Sequence, residues 1–317
     1  MGGPAALAAL LALLGGSSSA APRIGVWQPP RGLIQQRLWP GAPPDSPAKT
    51  SPAEHSETGI NPKRFAGRPV TGVYDVSVPT LTIFPTTGKA NRAAVLVFPG
   101  GGFQQLAIDL EGSEACDWLN ARGFLCALVK YRVPNSNHHY DASCNCGVTP
   151  KHLTALADAQ RAIRLVRSRA TSLGVDPGRI GVMGFSAGGY LVAQTSNIVA
   201  PAYKPVDAID KVSSRPNFAI ALYPGHLCRD GVSLEPGIKV TKSTPPTFLV
   251  QAWDDPTDPV CNSTQYARAL AEAGVPAEVH LFARGGHAFG LRPTGTPVDR
   301  WLSLLDDWLR GLSVLRH

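Results

Sequence analysis

Ser186 stands in Gly184-Phe185-Ser186-Ala187-Gly188-Gly189, between a short apolar run at 179–183 and a helical pattern beginning at 190. A serine on a sharp strand-to-helix turn has its Oγ exposed, and small flanking residues let the strained turn close. An alcohol is a weak nucleophile at neutral pH, so this serine needs a base within hydrogen-bond reach. Of the eight histidines, His287 is the best placed, in Gly285-Gly286-His287-Ala288-Phe289-Gly290 between the last strand and last helix patterns. The glycines allow a backbone path that projects the imidazole over a sheet edge. His55 lies in a Pro-rich stretch, His280 falls mid-strand and reads as a sheet residue, and His317 ends the sequence.

A histidine base works with an acid that fixes its tautomer and stabilises the imidazolium. Trp253-Asp254-Asp255-Pro256-Thr257-Asp258-Pro259 follows the penultimate strand and offers three carboxylates. Asp255 is the expected partner; Asp254 reads alternatively as a turn cap and Asp258 as a cap of the next helix or loop. A tetrahedral intermediate also needs donors for its developing charge. Pro99-Gly100-Gly101-Gly102-Phe103 follows the first buried strand, and consecutive glycines bring N–H groups close without Cβ clash. Gly101 and Gly102, with the N–H of Ala187, are the expected oxyanion donors. This chemistry is acyl transfer through a serine intermediate, and it calls for no metal. His138-His139 with Cys144-x-Cys146 lacks the spacing of a structural zinc site and reads as a substrate rim or local disulfide.

These groups must be carried by alternating strands and helices. Strands are expected at 70–76, 80–84, 93–98, 124–129, 179–183, 218–223, 247–252 and 277–282, the first two as an antiparallel pair broken at Val78-Pro79. Helices are expected at 114–122, from Thr149-Pro150 to a stop at Gly174, after Ser186, at 263–273, and from Thr296-Pro297 onward. The last has Trp301, Leu304, Leu305, Trp308, Leu309 and Leu312 on one face. Continuous apolar runs such as Ala93-Ala94-Val95-Leu96-Val97-Phe98 mark strands buried on both faces. The pattern is α/β: a mostly parallel sheet covered on both sides, with active groups at the C-terminal edge of its strands.

The 317 residues are 44% hydrophobic and 17% charged, enough to bury a large core. The net charge of +7 is scattered rather than massed, which does not match a nucleic-acid footprint. No apolar run long enough for a membrane span occurs outside residues 1–20. Residues 1–20 read as a signal peptide ending in small residues, 21–69 as a Pro-rich arm, and 70–317 as the catalytic domain. In the arm, Trp27, Leu33, Ile34, Leu38 and Trp39 are the candidate anchors. Of six cysteines, Cys116 and Cys126 read as inert core. Cys144, Cys146, Cys228 and Cys261 lie in loops of an exported chain, with Cys228–Cys261 the favoured pair. Asn262-Ser263-Thr264 forms a glycosylation sequon.

With these residues in place, the chain resembles the α/β-hydrolase superfamily across roughly 70–312. It looks most like the small esterases with a PGGG oxyanion loop, the acetyl-xylan esterase and feruloyl esterase-like branch. The resemblance rests on Pro99-Gly100-Gly101-Gly102, Asp158-Ala159-Gln160-Arg161-Ala162, the Ser186 motif, Asp254-Asp255 and Gly285-Gly286-His287. It implies an eight-stranded sheet, the second aspartate of the pair as triad acid, no cofactor, and short acyl esters as substrates, with acetylated polysaccharide foremost. Segments 133–148 and 200–216 are too short for a large lid domain. The alternatives are a general carboxylesterase, a prolyl-peptidase-type serine peptidase, which usually carries an extra domain, and a non-catalytic binding protein, which typically lacks a triad member.

Overall fold

The computed structural model of the chain describes residues 24–46, 52–60, 64–133, 139–141, 146–148 and 154–314. Its centre is an eight-stranded sheet of β1 (Gln35–Arg37), β2 (Thr80–Phe84), β3 (Ala94–Phe98), β4 (Leu125–Lys130), β5 (Ile180–Phe185), β6 (Phe218–Leu222), β7 (Thr247–Ala252) and β8 (Ala277–Phe282). The spatial order is β1-β2-β4-β3-β5-β6-β7-β8. Strands β3 to β8 run parallel to one another, while β2 runs antiparallel to both β1 and β4. Every residue of β3, β4, β5, β6 and β7 is buried, as their apolar runs require of strands covered on both faces. Among the described residues, five α-helices complete the layers: α1 (Glu114–Asn120), α2 (Thr154–Ser168), α3 (Ala187–Asn197), α4 (Cys261–Glu272) and α5 (Trp301–Gly311). In α5 Trp301, Leu305, Trp308 and Leu309 are buried, one stripe of the expected face.

Strand order reverses around β3, which lies between β4 and β5. Such a switch point opens a crevice at the strands' carboxyl ends. In register, Phe98 of β3 stands opposite Gly184 of β5, so the loops leaving these two strands emerge side by side. One carries Gly100–Gly102 and the other carries Ser186.

Several sequence expectations change. The segment at 70–76 does not pair with β2. Thr71–Tyr74 is the middle strand of a separate antiparallel sheet, between His55–Thr58 and Gln105–Ala107. Asp75 takes a φ of 53° and ends that strand, so the chain changes sheet instead of forming a hairpin. The arm is more than a surface wrapping, because Gln35–Arg37 supplies the edge strand β1 and Leu38 and Trp39 are buried in the core. A strand of three residues shows too little alternation to stand out in a Pro-rich sequence. Ile34, 64% exposed, anchors nothing.

Cys116 and Cys126 are buried as expected but form a disulfide between α1 and β4 rather than standing as free thiols. Cys228 and Cys261 are joined as well. Cys144 and His138 lie outside the described residues, as do 1–20 and the helix start at Thr149-Pro150. Asn262 is buried at the start of α4; its Oδ1 accepts from the N–H groups of Leu227 and Cys228. The sequon therefore has no accessible amide.

Asp158-Ala159-Gln160-Arg161-Ala162 is a structural knot. Asp158 accepts from Arg132 and from Trp39 Nε1, and Arg161 bridges Asp207, Asp210 and the Leu38 carbonyl. Gln160 accepts from the Ala202 N–H and donates to the carbonyls of Ile198 and Ala200. Together they tie the arm and the loop after α3 to α2.

Candidate active site

Ser186 sits between β5 and α3 with φ 52° and ψ −119°. A left-handed serine is strained and persists only where its surroundings dictate it. Here they do: its N–H donates to the Leu222 carbonyl, and its carbonyl accepts from Tyr190 N–H. The turn closes because two glycines leave room. A Cβ on Gly184 would lie 2.1 Å from the Gly188 carbonyl oxygen, and one on Gly188 would lie 2.0 Å from that of Phe98.

Ser186 Oγ lies 3.0 Å from His287 Nε2, and His287 Nδ1 lies 2.8 Å from Asp255 Oδ2. A carboxylate only accepts, so Nδ1 carries the proton and Nε2 turns its lone pair to the serine hydroxyl. Asp255 is itself fixed, because its Oδ1 accepts from the N–H groups of Thr257 and Asp258. Burial pulls the His287 pKa down, but the Asp255 hydrogen bond and the charges of Asp258, Asp255 and Glu111 outweigh it and leave the value above 6.5. The ring meets Tyr223 edge-on with centroids 5.0 Å apart. A row of this kind can take a proton from an attacking hydroxyl and return it to a leaving group.

Asp254 does not face the imidazole. Its Oδ1 accepts from Gly285 and Gly286 at 2.9 and 2.8 Å, so it holds the loop that carries His287. Those two bonds, Gly286 first, keep its carboxyl below the ordinary range. Asp258 is not a helix or loop cap. Its Oδ2 lies 3.4 Å from Ser186 Oγ and 3.7 Å from His287 Nε2. Burial, with the charge of Asp255, raises it to about 6 against the opposing pull of His287.

The glycine loop touches the same serine: a Cβ on Gly100 would lie 2.9 Å from Ser186 Cβ. Gly101 takes φ 129°, a conformation open to glycine, and its carbonyl accepts from Gln104 and Gln105 N–H. Among the described residues none accepts from the N–H groups of Gly101, Gly102 or Ala187. The Gly100 N–H is engaged by Glu111, a residue the sequence reading passed over. Glu111 is buried, and its other oxygen accepts from Tyr223 OH, which in turn accepts from Gly290 N–H. Desolvation raises the Glu111 pKa against the bonds from Tyr223 and Gly100 and the charge of His287. The chain Gly100, Glu111, Tyr223, Gly290 thus braces the glycine loop against the histidine loop.

Comparison with known proteins agrees with this architecture. The family model described as alpha/beta hydrolase fold matches residues 95–241. The crystal structure of an acetyl ester-xyloside bifunctional hydrolase from Caldicellulosiruptor lactoaceticus superposes with a TM-score of 0.67 at 30% identity, over 89% of this chain and 97% of that one. The chain belongs to the α/β-hydrolase fold family. This α/β-hydrolase is also 30% identical over 256 residues to an acetylxylan esterase of Xylanibacter ruminicola, covering 73% of this chain and 48% of that protein. It thus spans about half the length of that curated relative. Thermogutta terrifontis esterase 2, in a structure phosphorylated by paraoxon, superposes with a TM-score of 0.62 at 26% identity, over 84% of this α/β-hydrolase and 96% of that chain. No helix among the described residues is long and apolar enough to cross a membrane.

Proposed function

We propose that this chain is an exported serine esterase that removes short acyl groups, acetyl foremost, from polysaccharide such as acetylated xylan. Ser186 attacks the ester carbonyl while His287 takes its proton and then gives it to the leaving alcohol. Water repeats the cycle on the acyl-enzyme. Asp255 holds the imidazole and stabilises its charged form, and the N–H groups of Gly101, Gly102 and Ala187 bind the oxyanion. The observation that carries this reading is the continuous row from Asp255 Oδ2 through His287 to Ser186 Oγ, at 2.8 and 3.0 Å. The proteins named above, an acetylxylan esterase and an acetyl ester-xyloside hydrolase, support the substrate class. The apolar block at residues 5–14 and the disulfides Cys116–Cys126 and Cys228–Cys261 support export.

Acetate release from acetylated xylan, set beside hydrolysis of p-nitrophenyl acetate and p-nitrophenyl octanoate, tests the substrate assignment. Acetate should be released from the polymer, and the octanoyl ester should be the poorer of the two small esters. Turnover of small esters with none on the polymer would contradict the polysaccharide reading.

A further inference from the structure

The site holds an ionisable side chain that the hydrolytic steps leave unused. The backbone of Asp258 is pinned, its N–H donating to Asp255 Oδ1 at 2.9 Å and its carbonyl accepting from Gln251 Nε2 at 2.6 Å. Its side chain turns into the site, 3.4 Å from Ser186 Oγ and 3.7 Å from His287 Nε2, and 13% of it remains accessible. The back of the carboxylate is closed by the loop after β6, where a Cβ on Gly225 would fall 2.6 Å from Oδ1.

Among the described residues, Ser186 Oγ is the one donor group within reach of this carboxylate, at 3.4 Å, and its single proton is directed to His287 Nε2 at 3.0 Å. The carboxylate is therefore without a donor of its own while the serine hydroxyl faces the imidazole, and it stays so once that proton has passed to His287. A poorly solvated carboxylate left without a donor is costly. Burial, with the charge of Asp255, raises its pKa to about 6, in keeping with that geometry. The leaving oxygen of an ester must come within reach of His287 Nε2, which protonates it. A group 3.7 Å from Nε2 therefore borders the atoms next to that oxygen.

We propose that Asp258 is a specificity-determining residue whose carboxylate accepts a hydrogen bond from a hydroxyl on the carbon next to the ester-bearing carbon, so that the site selects esters of vicinal diols. That is the arrangement in a partly acetylated sugar ring. The inference rests on the esterase reading and narrows its alcohol side. A site built to accept from a substrate hydroxyl discriminates strongly against the analogue that lacks it, because its own polar group is left unpaired.

The test compares trans-2-hydroxycyclohexyl acetate with cyclohexyl acetate, each kcat/KM divided by that ester's rate of hydroxide-catalysed hydrolysis. The unmutated enzyme should prefer the hydroxylated ester about ten- to a hundredfold, the range of a hydrogen bond to a charged group. Asp258→Val should bring the ratio close to one, and Asp258→Asn, which keeps a weaker acceptor, should fall between. Equal normalised rates in the unmutated enzyme would overturn the proposal even if neither variant folds. So would a ratio unchanged in Asp258→Val. Failure of the unmutated protein to hydrolyse either ester would instead remove the esterase reading and this inference with it.

Discussion

At the scale of single residues, the site is governed by how many carboxylates surround one imidazole. Asp255 touches His287 directly, while Asp258 and Glu111 act through their charge and raise its pKa. Only the neutral imidazole can take the serine proton, so activity should fall as pH drops through the His287 pKa, which its carboxylate neighbours raise above that of an ordinary imidazole. Removing an anion destabilises the imidazolium and lowers that pKa. Asp258→Asn should therefore move the acid limb of the kcat/KM profile, measured on p-nitrophenyl acetate, to lower pH. An unmoved or upward-moved limb would contradict the electrostatic account. Ser186, Asp255 and His287 stand out in the sequence because the serine motif and the double-glycine loop leave few alternatives. Asp258 does not, since a carboxylate before a proline looks like any turn cap until the fold turns it toward Ser186. Asp254 and Asp255 look alike in sequence and differ only in what each faces, the loop backbone or the ring.

At the scale of elements, the groups of the candidate site are held by contacts between loops far apart in sequence. Glu111 lies in the π-helical turn Asp109–Ser113 just before α1, binds Gly100 N–H, and reaches the histidine loop through Tyr223 and Gly290. No periodicity reports such a brace, because its members come from separate connections around the sheet. Glu111→Ala leaves a buried N–H and a buried phenol without their acceptor. It should cost about 1–3 kcal/mol of stability in denaturant unfolding. It should also lower kcat more than it changes KM, because oxyanion donors act mainly in the transition state. Unchanged kcat in a folded variant would show that Glu111 does not position the glycine loop. The five central strands are legible as apolar runs because they are buried on both faces. The edge strand β1 and the small sheet around Thr71–Tyr74 are short and set by their partners, which a linear pattern does not reveal.

At the scale of the whole molecule, the arm and the disulfides fasten the periphery to the sheet. Trp39 donates to buried Asp158, and Lys130 pairs with Glu54, so residues preceding the catalytic core are built into it. The Cys228–Cys261 bond joins the loop after β6 to the start of α4, close in sequence to Asp258. Mass spectrometry of protein exported to an oxidising compartment should show loss of residues 1–20 or 1–21. Cys116, Cys126, Cys228 and Cys261 should be protected from alkylation until a reductant is added. Free thiols at these four positions, or an intact leader, would contradict the proposed export.

The central claim is that Ser186 carries the reaction, activated by His287 and Asp255 at the mouth of the β3/β5 crevice. Its most direct test is the kcat for acetate release from acetylated xylan by the unmutated protein and by Ser186→Ala, with the fold of both checked by circular dichroism. Loss of a triad nucleophile elsewhere lowers kcat by roughly 10⁴–10⁶, and a loss of that order is expected here. A folded Ser186→Ala variant that releases acetate at the unmutated rate would contradict the account.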